Sequence, residues 1–136
     1  MALLKEHLSF YREIFRIPHI HSTPMLTIGV EEIHGQNLPA DFDFNNFNEL
    51  LNSKGIKDIT TLDFFDHKAD LRLDLNYPVP KKLHEKYKTV IDIGNLEHIF
   101  DTRQALENCL RMVKLGGLYF LHTPVNGYFK HGLHTF

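Results

Sequence analysis

Apolar positions recur along this chain in two rhythms. In residues 3–15, LLKEHLSFYREIF, Leu4, Leu8, Tyr11 and Phe15 share one stripe at helical spacing, and Pro18 stops it, which predicts an amphipathic first helix. Residues 25–30, MLTIGV, are apolar, β-rich and short, and the glycine-punctuated GVEEIHGQN after them predicts a turn. This is the first expected strand. From Asp43, DFNNFNELLNSKG spaces Phe44, Phe47, Leu50 and Leu51 as a short helix, with Asp43 as its cap and Gly55 as its end. KDITTLDFF and ADLRLDLN follow as strands two and three, YPVPKKLHEKY as a proline-set loop with a helical turn, and KTVIDIG as a strand apolar on both faces.

The clearest helix comes next. Asp101 caps it with Gln104 in capping-box position, Ala105, Leu106, Cys109, Leu110 and Val113 form its stripe, and Gly116-Gly117 end it. The cap is worth about 1 kcal/mol. LYFLHT is the fifth strand, and PVNGYFKHGLHTF is a turn-rich, polar-aromatic tail. Strands alternating with helices predict an α/β fold, a mostly parallel sheet of about five strands with helices on both faces. The expected organisation is a single domain: residues 1–20 an N-terminal helix, 25–123 the core and 124–136 the tail.

Composition narrows the partners. At 136 residues, 43% hydrophobic and 24% charged, the chain has the length and composition of one globular domain, and a net charge of -2 gives no footprint for nucleic acid or an anionic membrane. No apolar run approaches the roughly 20 residues of a membrane span. A lone cysteine, Cys109, excludes an intrachain disulfide framework and predicts the cytoplasm. The ten histidines are scattered, and the His-x-x-His of His131 and His134, even with His122, is too sparse a ligand set, so no metal site is expected.

Chemistry is expected at the strand ends, because ligands of parallel sheets bind beyond the carboxyl ends of the strands near the point where strand order reverses. Strand one ends at Gly29, strand two at Asp63 before Phe64, strand three at Asp74-Leu75-Asn76, and strand four at residues 94–98, GNLEH. A carboxylate in the Asp63 position suits a ribose diol, accepting two charge-assisted hydrogen bonds, and Gly29 lets a ligand approach the backbone. Each feature also has a structural reading: Asp63 as a turn cap, Asp74 to Asn76 as a side-chain-made turn, Glu97 and His98 as a solvated pair.

The series TIGV, TTLDFF, LRLDLNYPVP, VIDIGNLEHIFD, ALENCLRMVKLGGLYFLHTP resembles class I S-adenosylmethionine-dependent methyltransferases over roughly residues 25–126, most specifically in NLEHIFD and the helix, glycines and TPVNG after it. The resemblance implies a Rossmann-like three-layer sandwich and S-adenosyl-L-methionine as cofactor. Gly29 then meets the methionine moiety, Asp63 with Phe64 beside it the ribose, Asp74 and Leu75 the adenine, and Asn95 and Leu96 the sulfonium end. Glu97 and His98 face cofactor or substrate as the catalytic pair, His98 the base. The implied substrate is a small molecule or glycan that attacks the methyl carbon.

Two departures accompany the resemblance. Thr27 replaces the customary acid and the first loop has only Gly29 and Gly35. The chain stops at Phe136 after the fifth strand, where the family has seven, so a truncated form is expected, its open edge covered by the tail, a second copy or another polypeptide. The alternative class is a non-catalytic binding or interaction module of this fold. A dinucleotide-binding oxidoreductase ranks below both, since no G-x-G-x-x-G follows strand one.

Overall fold

Each of the β-rich runs finds a parallel neighbour. A computed structural model of the chain describes residues 2–4, 11, 13–30, 32–34, 44–125 and 130–134. The elements run β1 (Ala2–Leu4), β2 (Met25–Ile28), β3 (Glu32–His34), α1 (Phe47–Ser53), β4 (Ile59–Asp63), β5 (Leu71–Arg72), β6 (Tyr87–Ile93), α2 (Thr102–Met112) and β7 (Val113–His122), with 3-10 turns at Lys81–Leu83 and Leu96–His98. The main sheet is five-stranded in the order β5-β4-β2-β6-β7, every neighbouring pair parallel. Strands β1 and β3 form a separate parallel pair.

Side chains alternate across the sheet and so build two cores. On one face Met25, Ile91 and Ile93 pack with Phe47, Leu50 and Leu51 of α1 and with Tyr11, Ile14 and Ile20. On the other, Leu26, Ile28, Leu62 and Val90 pack with Ala105, Cys109 and Met112 of α2. The central strands β2 and β6 are covered on both sides, which is why they carry continuous apolar runs rather than alternation. Each fully buried Leu, Met or Val contributes about 1.5–3 kcal/mol. The result is the expected α/β sandwich, a helix on either face of a parallel sheet. Thr27 is buried in β2 and donates to Asn48 Oδ1 of α1 at 3.4 Å.

Several local expectations are corrected. Leu3 and Leu4 belong to β1 rather than to a helix, because residues 2–4 pair with β3, itself formed within the expected turn. Tyr11, Glu13 and Ile14 are helical, while Leu8 and Asp43 lie outside the described residues. The cap of α1 is Asn46, whose side chain accepts from the Glu49 N–H at 3.0 Å. The third strand shrinks to Leu71–Arg72. Asp101 caps α2 as expected, but the Gln104 amide reaches forward to Asn108 rather than back to the cap.

The stripe of α2 is also displaced. Its buried residues are Ala105, Asn108, Cys109 and Met112, while Leu106 and Leu110 are 36% and 54% exposed. Gly116 and Gly117 do not end the helix. Val113 turns directly into β7, and the glycines sit in an irregularity where the register jumps from Tyr87↔Val113 to Thr89↔Leu118. A Cβ on Gly117 would lie 2.6 Å from the Lys88 carbonyl oxygen, so only glycine lets the two strands close there.

Residues 130–134 of the tail return to the rim rather than pairing with the outer edge of β7. Leu133 and His134 donate backbone N–H bonds to the Glu97 carbonyl at 2.7 and 3.1 Å. Among the described residues β7 pairs only with β6.

Candidate functional site

The chain leaves β2 toward β4 and leaves β6 toward β7, so the carboxyl ends of β2 and β6 diverge at the reversal of strand order. Asn95 spans the gap: its Nδ2 donates to the Ile28 carbonyl at 2.7 Å, and its backbone N–H donates to Asp92 Oδ1 at 3.1 Å. Gly29 (φ 84°) turns the chain away from β2 and donates its N–H to Leu62. Beyond these ends opens a cavity of about 210 Å³. That is below the roughly 300–1,000 Å³ of a typical small-molecule pocket, room for a smaller group or for part of a larger ligand.

Gly29, Asp63, Phe64, Asp74, Leu75 and Asn95, six of the seven expected cofactor residues, line this cavity, and so does His98. The seventh, Leu96, does not. Its side chain is buried in the core beneath α2, because the 3-10 turn at Leu96–His98 spreads its three side chains about 120° apart and turns Leu96 inward while His98 faces the cavity. Glu97 is fully buried and also outside the cavity wall, so it faces neither cofactor nor substrate there. Ile28, Leu62, Phe65, Leu73, Asn76 and Ile99 complete the lining, and Phe64 and Phe65 meet edge to face, centroids 4.6 Å apart.

Asp63 organises the loops as well as the pocket. Its Oδ1 accepts from the N–H groups of Phe65 (2.8 Å) and Asp66 (3.0 Å), and Oδ2 accepts from Val30 (3.1 Å). Burial raises its pKa, but the backbone bonds from Asp66, Phe65 and Val30 outweigh that and hold it below the usual carboxylate range. A carboxylate has about four acceptor sites. With three occupied, room is left for about one ligand hydroxyl bond, not the two expected. Asp74 likewise makes a turn, its Oδ1 accepting from the backbone and side-chain nitrogens of Asn76 at 2.9 and 2.7 Å.

The wall formed by residues 75–79 hangs on one residue that pattern reading passed over. Asn108, fully buried on α2, accepts at Oδ1 from Val79 N–H and the Gln104 amide, both 3.0 Å, and donates from Nδ2 to the carbonyls of Leu75 and Tyr77, both 2.9 Å. A polar residue three positions from Ala105 and one from Cys109, inside an apolar stripe, was the available signal.

Beneath the rim lies a second polar group. Asp92, buried on β6, is raised to about 6, by burial first, against the Asn95 hydrogen bonds, with Glu97 adding to the rise and Tyr119 opposing it. Its neighbour Cys109 is pushed up to about 12, chiefly by burial and then by Asp92. Neither lines the cavity.

No family model, curated protein or solved structure matches this chain. Its site is therefore described by its own chemistry: an aromatic and apolar slot with a carboxylate at one end of β4, an amide at the switch point, and an imidazole at the mouth. The His98 pKa is lowered, first by burial and also by His131, against the opposing charge of Glu97.

The tail histidines separate. His122 Nδ1 pairs with the Tyr11 hydroxyl at 2.7 Å and His134 Nε2 bonds to the Phe100 carbonyl at 3.1 Å, while His131 comes to Glu97 and His98. Among the described residues no helix is long and apolar enough to cross a membrane.

Proposed function

We propose that this chain binds S-adenosyl-L-methionine and transfers its methyl group to a small-molecule or glycan acceptor, or forms the cofactor-binding part of such an enzyme. The observation that carries the reading is the convergence of Gly29, Asp63, Phe64, Asp74, Leu75 and Asn95 on one cavity at the switch point of a parallel sheet. Asp63 offers its remaining acceptor site to a ribose hydroxyl, Phe64 and Leu75 cover the base, and Asn95 lies toward the methionine end. His98, on the wall and with its pKa lowered by burial, takes the acceptor's proton. The lone, free, buried Cys109 fits a cytoplasmic setting. Alignment of the two reactants supplies most of the acceleration in this reading.

Calorimetric titration with S-adenosylhomocysteine tests it. Saturable binding that weakens strongly in Asp63→Ala is expected, and absence of binding at millimolar ligand sinks the proposal for this chain. The non-catalytic binding module is favoured by one observation, the prior engagement of Asp63 by three backbone N–H groups. It predicts binding without methyl transfer to any acceptor.

A further inference from the structure

We propose that Glu97, His98 and His131 form a site for a divalent transition-metal ion, with zinc as the occupant. One donor atom from each lies within 4.8 Å of the others. Glu97 Oε1 is 3.9 Å from His98 Nε2 and 3.7 Å from His131 Nε2, and the two imidazoles meet edge to face with centroids 5.1 Å apart. Zinc bonds of about 2.0–2.2 Å place two ligands of a tetrahedral ion about 3.4 Å apart. Closing each imidazole onto the Glu97 oxygen therefore takes a few tenths of an ångström, and the two imidazole nitrogens, within 4.8 Å of each other, close by about 1.4 Å at most.

The buried carboxylate is the independent observation. Glu97 has no exposed side-chain surface, yet among the described residues Oε1 has no hydrogen-bond partner. A buried acceptor left in that condition is costly, and a cation supplies what it lacks. The other oxygen is already held: Thr123 Oγ1 donates to Oε2 at 3.2 Å, which leaves Oε1 toward the two rings. Such an outer partner is what orients a ligating carboxylate.

The fold also holds His131 in place. Gly132 has φ 72°, and a Cβ there would stand 2.7 Å from the Glu97 carbonyl oxygen and 2.9 Å from its Cγ. With the Leu133 and His134 bonds to the same carbonyl, the chain beside His131 is pressed against Glu97 in a way only glycine permits.

Two imidazoles and one carboxylate exclude a hard-cation cage, since magnesium and calcium take oxygen ligands. The His98 and His131 side chains are 46% and 40% exposed, so the ion has its open positions toward solvent. Three protein ligands with open positions is the arrangement of a zinc site that binds a further ligand. His98 also belongs to the cavity wall. An ion there would take over from His98, then a ligand, the task of easing an acceptor's deprotonation beside the bound cofactor, a role that rests on the proposed methyl transfer, whereas the metal site itself does not.

The test uses the full chain without a histidine tag, stripped with chelator and titrated with Co²⁺, then displaced with Zn²⁺. Visible cobalt bands saturating at one ion per chain are expected. His131→Ala, at a half-exposed side chain, and Glu97→Gln are expected to lose affinity by more than the roughly 10–100-fold typical of outer-shell changes, and Thr123→Val, a positioning change, by about tenfold. His67→Ala, on an exposed histidine away from the triad, is expected to change nothing. Circular dichroism verifies that each variant is folded. Absence of cobalt bands, undiminished affinity in folded His131→Ala, or loss in His67→Ala overturns the proposal. Titrating the metal-free protein with S-adenosylhomocysteine separates failure of the metal site from failure of the cofactor reading.

Discussion

Replacing Asn108 by alanine is expected to be among the most damaging single changes in the chain. The four bonds it makes, to Val79 N–H, the Gln104 amide and the carbonyls of Leu75 and Tyr77, use all of its capacity. The Gln104 amide and the carbonyl of the exposed Tyr77 can turn to water. The backbone groups of Val79 and Leu75, both buried residues, cannot do so without opening the wall. At about 1–3 kcal/mol for each stranded buried group, with a further kilocalorie or so for the weaker pair, the loss is about 3–7 kcal/mol. That is a large fraction of the roughly 5–15 kcal/mol of a typical domain.

Urea unfolding followed by circular dichroism reads this directly. With a slope of about 1–3 kcal/mol per molar, the midpoint is expected to fall by about 2 M. Hydrogen exchange provides a local reading, in which the Val79 amide loses its protection in the variant before the β6 amides do. Under the proposed function, affinity for S-adenosylhomocysteine should fall as well, because Leu75 and Asn76 are cavity wall. A midpoint shift below about 0.3 M, the scale of an exposed substitution, would refute the reasoning.

Three further outcomes follow from the same interior. Asp92, raised to about 6 from its ordinary 3.8, keeps a proton in the folded chain that the unfolded chain has released, so it lowers stability as pH rises through that window. Asp92→Asn is expected to gain about 2–3 kcal/mol in urea melts near pH 7.5 and little near pH 4, and an equal gain at both would contradict the buried charge. Cys109, buried and raised to about 12, should resist a thiol reagent at pH 8 until urea unfolds the chain, so rapid labelling of the native protein would show the α2 face to be open. Gly117→Ala, with its new Cβ against the carbonyls of Lys88 and Lys114, should cost about 1–3 kcal/mol in a thermal melt, and a neutral result would mean the β6–β7 irregularity gives way freely.

The amino-acid pattern by itself determined the elements whose causes are local. The apolar runs of β2, β4 and β6, the Asp101 cap, the glycine turn after β2 and the alternation of strands with helices all follow from neighbours within a few residues. They were enough to predict a parallel sheet and to name Gly29, Asp63, Asp74 and Asn95 as strand-end residues. Hydrophobicity misled where a helix face is chosen by what it meets: Leu106 and Leu110 are the more apolar, but the sheet and the 75–79 segment meet Ala105, Asn108, Cys109 and Met112. Short strands such as β1 and β3 were invisible because three residues carry no periodicity, only a partner.

Tertiary structure decided what distant residues do to one another. The order β5-β4-β2-β6-β7 brings four strand ends to one cavity, lets three backbone groups fill most of Asp63, and withdraws Leu96 and Glu97 from its wall. It also carries His131, 34 positions on in the chain, to the buried Glu97 carboxylate. Neighbouring residues choose a strand or a turn by short-range sterics and burial, whereas a site built across the sheet exists only once chain topology has closed the distance.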